Sequence, residues 1–242
     1  MISEIYDQSG HGNNLIPAPA GTQGPADAPA DAAALPVTAG GHKVYGVSTS
    51  PGMGYRDDAT SGVATGNDPE GEYAVFGGSH YNNGCCYDYG NAETSNTDTG
   101  NGHMEALYFG TANDKAGAGS GPWIAADLEN GLYTEGDTGT NSSDPSMNDP
   151  FVTAVLKGEP GTWALRGGNA QSGGLSTFYS GPRPPGGYEP MSKEGAIILG
   201  IGGDNSQKSA GSFFEGAMTS GYPSDATENA VQASITAAGY AS

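Results

Sequence analysis

Two carboxylates stand two positions apart in Trp123-Ile124-Ala125-Ala126-Asp127-Leu128-Glu129-Asn130. The segment alternates like a strand, which puts Trp123, Ala125, Asp127 and Glu129 on one face and Ile124, Ala126 and Leu128 on the other. Acids so placed lie roughly 6–7 Å apart and perturb each other's ionisation, the condition under which acid and base roles separate. A solvated edge strand would give the same spacing. A third carboxylate, Asp204, follows the apolar run Gly195–Ile201 and the pair Gly202-Gly203. That run predicts a strand buried on both faces, and the glycines permit close approach of a ligand or another backbone. An ordinary Asp-Asn turn is the alternative. Glycoside hydrolysis needs two carboxyl groups across the scissile bond, and no other set of side chains here is as coherent. The histidines His11, His42, His80 and His103 lack zinc-site spacing, so no metal is expected.

The chain's two cysteines are adjacent, Cys85-Cys86. A disulfide between neighbours closes an eight-membered ring, too small a loop to restrain the unfolded chain. Two readings stay open: a flat apolar plate against a ligand, or two reduced thiols in a core.

These residues need a scaffold. With 42 glycines in 242 residues and no collagen-like period, the pattern is many short strands separated by turns. Strands are expected at 72–77, 104–109, 122–130, 151–156, 162–166 and 195–201, and residues 5–10 read as a strand entering a turn. Residues 17–36 and 134–149 read as loops. Residues 225–238 form the one expected helix, with Asp225 as cap, Glu228 three residues on, and Val231 and Ile235 on one face. No repeat or linker divides the chain, so one all-β domain over 1–242, a jelly-roll β-sandwich with a short C-terminal helix, is expected. A net charge of −19 makes nucleic acid and anionic membranes poor partners. No apolar run is long enough to span a bilayer, and the first residues are not a signal peptide. Asn141-Ser142-Ser143 is a formal glycosylation sequon.

Six stretches carry a resemblance: IYDQSGHGNN, SPGMGYR, CCYDYGNAETSNTDTGNGHMEA, GSGPWIAADLENGL, PMSKEGAIILGIGGDNS and GAMTSGYPSDATEN. They run from about Ile5 to Tyr240, and on them the chain resembles the catalytic domain of the fungal α-L-arabinofuranosidase B family, glycoside hydrolase family fifty-four. The resemblance implies a concanavalin-like sandwich, a secreted enzyme and a plant cell-wall polysaccharide, arabinan or arabinoxylan, as substrate. It implies retaining hydrolysis by double displacement, with Glu129 as nucleophile, Asp204 as general acid/base and no cofactor. It further implies that Cys85 and Cys86 form a disulfide against the sugar, and that Asp127, Asn130 and Gly203 contact it. A pocket tryptophan of the family falls near Asp114 and has no counterpart. The family's domain also begins upstream of IYDQSG and is followed by an arabinose-binding domain, so a truncated catalytic domain is expected. The alternatives on the same fold are a non-catalytic carbohydrate-binding module and an inactive fragment.

Overall fold

The computed structural model describes residues 1–112, 116–137 and 139–242, so the position near Asp114 lies outside the described residues. Fourteen strands, numbered in chain order, form two seven-stranded antiparallel sheets. The first sheet runs β1 (Ile16–Pro17), β4 (Tyr55–Asp57), β13 (Ala196–Leu199), β6 (Asp88–Ala92), β7 (Glu105–Gly110), β8 (Trp123–Asp127), β9 (Leu132–Tyr133). The second runs β12 (Ser176–Gly181), β11 (Thr162–Asn169), β10 (Val152–Glu159), β5 (Glu70–Tyr81), β14 (Gly211–Ser220), β3 (His42–Thr49), β2 (Leu35–Ala39). The β-sandwich expected from the sequence is the observed architecture.

The alternation of each strand builds the core. Leu107, Phe109, Ile124 and Ala126 of the first sheet meet Ala74, Phe76, Val152 and Leu165 of the second, all buried. Phe76 stacks on Phe109 with ring centroids 5.4 Å apart. The opposite face of the first sheet is lined by small and slender residues, Ala92, Met104, Ala106, Ala196 and Ile198, with Ala18 of the long loop packed on them.

The helix α1 (Asp225–Ala238) covers the outside of the second sheet, where Ile235 joins Val37, Val75, Phe151 and Tyr240, and Val231 packs beside them. Its cap is Ser224 rather than Asp225: the Ser224 hydroxyl accepts the Thr227 N–H at 3.1 Å. Asp225 instead pairs with Lys157 at 2.7 Å, and Glu228 is buried against Lys157 and Arg166. The sequon asparagine, Asn141, is buried and donates to the carbonyls of Thr134 and Phe178, which leaves its amide nitrogen no access to a glycan. No helix among the described residues is long and apolar enough to cross a membrane.

Candidate active site

Strand β8 carries Asp127 at its last position, in register with Ala106 of β7. The sequence predicts a strand through Asn130; the strand stops at Asp127, and Glu129 adopts φ 83°. Glu129 is therefore not the next residue on one alternating face. It projects from a turn in the left-handed region, which side chains other than glycine, asparagine and aspartate seldom occupy. Three hydrogen bonds hold that turn. The Glu129 N–H donates to the Asp127 carboxylate at 3.0 Å, the Leu128 N–H to the Gly131 carbonyl at 3.1 Å, and the Gly102 N–H to the Leu128 carbonyl at 3.0 Å. Strand β8 is buried throughout and flanked by β7 and β9, so it is not a solvated edge. Asn130 is exposed and donates to Asp98 at 3.2 Å.

Asp204 comes from the other side of the sheet. Strand β13 is buried on both faces between β4 and β6, as its apolar run predicts, and the chain then turns through Gly200 at φ 78°. The turn at 202–206 is both an Asp-Asn turn and a site element. The Ser206 N–H and hydroxyl both donate to Asp204 Oδ1, and Asn205, at φ 66° and fully buried, donates to the carbonyls of Pro19 and Pro25. Arg56, also buried, donates to the Gly203 carbonyl at 2.7 Å and to the Glu93 carbonyl. A side chain at position 203 would overlap the Glu93 carboxylate, so glycine fits there without moving Glu93, whatever its part in binding.

The cysteine pair joins this turn. Cys85 and Cys86 form a disulfide across a cis peptide bond. The Cys86 N–H donates to the Ser206 carbonyl at 3.3 Å, and the Lys208 N–H to the Cys85 carbonyl at 3.2 Å. The two sulfurs and a carboxylate oxygen of Asp127 all lie within 4.8 Å of one another. The sulfurs are bonded to each other and offer no thiolate, so the trio presents a hard apolar edge beside a carboxylate. Cys85 is exposed and Cys86 buried. The reading as two reduced thiols in a core is corrected accordingly.

The electrostatics follow from this crowding. Burial pushes the Glu129 carboxyl up to about 8, with the charges of Asp204 and Glu194 adding to the effect. Burial likewise pushes Asp127 up to about 7, against the N–H it accepts from Glu129. Beneath them, fully buried Asp88 is pushed well above the carboxylate range by burial first and then by Asp127. Four acids in one place cannot all ionise.

The structure thus brings together Glu129, Asp204, Asp127, Gly203 and the disulfide, with Asn130 on the rim. Sequence reasoning missed Asp88, Arg56, Glu93 and Glu194. Asp88 opens β6, a strand too polar to be recognised from the sequence.

The sequence profile of the family described as "Alpha-L-arabinofuranosidase B, catalytic" matches residues 1–241. The probable α-L-arabinofuranosidase B of Aspergillus terreus is 62% identical over 248 residues, covering 100% of this chain and 49% of that protein. The α-L-arabinofuranosidase of Hypocrea jecorina is 62% identical over 248 residues, covering 100% of this chain and 50% of that protein. The chain thus spans about half the length of the curated relatives it matches. A crystal structure of an arabinofuranosidase complexed with arabinofuranosyl-α-1,2-xylobiose superposes with a TM-score of 0.96 at 58% identity, covering 100% of this chain and 52% of that one. A glutamate-to-glutamine mutant of a family fifty-four α-L-arabinofuranosidase, soaked with 4-nitrophenyl α-L-arabinofuranoside, also superposes with a TM-score of 0.96 at 58% identity, covering 99% of this chain and 51% of that one. With a matched profile over nearly its whole length and a sandwich that superposes on solved members, the chain belongs to the α-L-arabinofuranosidase B catalytic-domain family.

Proposed function

We propose that the chain is a single catalytic domain that hydrolyses terminal α-L-arabinofuranosyl groups from plant cell-wall arabinan and arabinoxylan outside the cell. The observation that carries this reading is the convergence of Glu129, Asp127, Asp204 and the Cys85–Cys86 disulfide over one face of the first sheet. The reaction is a double displacement with retained configuration. Asp204 gives its proton to the leaving oxygen while the Glu129 carboxylate attacks the anomeric carbon, and the glycosidic C–O bond breaks. Asp204 then takes a proton from water, whose oxygen displaces Glu129 and releases arabinose. Asp127 and Asn130 orient the sugar hydroxyls, Gly203 lets the ring come close, and the disulfide is a flat wall against it.

At neutral pH a proton rests on Glu129, whose carboxyl is held up at about 8 by burial. Attack needs Glu129 ionised. Positive charge developing at the anomeric carbon beside Glu129 favours its carboxylate as the transition state is approached. The test is hydrolysis of para-nitrophenyl α-L-arabinofuranoside with the product followed by proton NMR. The α-anomer released first supports double displacement, the β-anomer first refutes it, and sugar binding without turnover would favour a binding module.

A further inference from the structure

Asp88 is the deepest acid of the site, with no exposed surface. No N–H or O–H among the described residues reaches either of its carboxylate oxygens. The carboxyl that faces it is that of Asp127, on the same face of the sheet. Two carboxylates cannot hydrogen-bond to each other without a proton between them. The geometry says which of the two holds it: Asp127 accepts the Glu129 N–H at 3.0 Å and so is stabilised as an anion, whereas Asp88 receives no donor at all.

The topology puts the pair where it matters. Asp88 of β6 is in register with Tyr108 of β7, and Tyr108 with Ala125 of β8; Asp127 lies one pleat further along β8 on that same face. Cys86, Tyr108 and Ala125 form the apolar patch around Asp88. The charged and titratable groups that face Asp88 are Asp127 from β8, Tyr108 from β7, and Glu129 and Asp204 from the two turns. None of these is cationic, no donor among the described residues reaches its oxygens, and burial drives Asp88 neutral.

We propose that Asp88 is a positioning residue that works as a neutral acid, donating a hydrogen bond to Asp127 and thereby holding Asp127 ionised and aimed at both the Glu129 N–H and the sugar. The chain of contact is Asp88 O–H to Asp127, and Asp127 to the Glu129 backbone in its left-handed conformation. Asp88 touches no reacting atom. It sets the acceptor on which the nucleophile's turn hangs. This inference rests on the proposed roles of Asp127 and Glu129.

The test compares the wild-type chain with Asp88→Asn, which keeps a neutral donor, and Asp88→Ala, which has none. An infrared difference spectrum at pH 7, wild type minus Asp88→Asn, should show a protonated-carboxyl C=O stretch; a carboxylate band in its place overturns the inference. In hydrolysis of para-nitrophenyl α-L-arabinofuranoside, Asp88→Ala should lose about tenfold or more in kcat, and Asp88→Asn should recover most of that loss with a pH profile superimposable on wild type. A purely structural residue would change thermal stability but not kcat or the pH profile of the folded chain. An Asp88→Asn profile moved to lower pH, the mark of a lost negative charge, also contradicts the inference. If wild type does not turn over, the glycosidase reading fails by itself. The infrared band and the Glu129 amide resonance, displaced in Asp88→Ala and retained in Asp88→Asn, then still decide the role of Asp88.

Discussion

Asp127 accepts the backbone N–H of Glu129 at 3.0 Å, and this bond fixes a glutamate in the left-handed region at the end of a strand. A non-glycine residue there costs of order 1–3 kcal/mol unless its surroundings hold it. Asp127→Ala removes the acceptor. The expected outcome is a folded chain whose kcat/KM on the para-nitrophenyl substrate falls on the order of a hundredfold, with far-ultraviolet circular dichroism unchanged. Activity within a few-fold of wild type would show that the turn stands without Asp127.

Gly203 lies against the Glu93 carboxylate, and its carbonyl is held by Arg56. Gly203→Ala must displace either the Glu93 carboxylate or the 202–206 turn that carries Asp204. Activity should fall about a hundredfold. The double variant Gly203→Ala with Glu93→Ala should regain part of it, because the overlap is with that side chain.

The Cys85–Cys86 bond closes no loop worth the name, so its reduction should scarcely alter the melting temperature. On the proposed reading the same bond forms part of the sugar-facing wall; it is tied to the Asp204 turn through the Ser206 carbonyl. Treatment with a phosphine reductant should therefore lower activity while leaving the thermal transition in place. A large fall in melting temperature with unchanged KM would assign the disulfide a stabilising role instead.

Several of these features were visible in the residues and others were not. The strands β5, β7, β8, β10, β11 and β13 announce themselves by apolar runs, and the helix by its periodicity. Strands β3 and β14 carry glycines inside them, and β6 reads Asp-Tyr-Gly-Asn-Ala, too polar for a strand signal although every residue of it is buried. Asp88 was lost with β6. Glu129 and Asp204 were legible as carboxylates near strand ends, but the left-handed turn of Glu129 was not, because alternation continues on paper past the point where the strand stops. Asp204 and the disulfide meet through backbone hydrogen bonds between segments far apart in sequence, which spacing does not encode.

Outside the site, Asp144 is fully buried with no hydrogen-bond partner for either carboxylate oxygen among the described residues, and burial raises it to about 8. Its folded-state value lies above its unfolded one. The folded state is therefore favoured below the unfolded value, and that advantage is lost progressively as pH rises toward about 8. Asp144→Asn removes the penalty of burying the charge, on the order of 5 kcal/mol as an upper bound. The variant should melt higher than wild type at pH 8, with the difference vanishing at pH 4. Equal melting temperatures at both pH values would mean that the Asp144 charge is compensated.

On the proposed reading Glu129 and Asp204 are the two carboxyls of a retaining glycosidase. The most direct measurement is steady-state hydrolysis of para-nitrophenyl α-L-arabinofuranoside by wild type, Glu129→Gln and Asp204→Asn, with azide added to each. Wild type should turn over, Glu129→Gln should be inactive, and Asp204→Asn should be slow but accelerated by azide, which needs no general base to attack the glycosyl-enzyme. Turnover that survives Glu129→Gln would contradict the account.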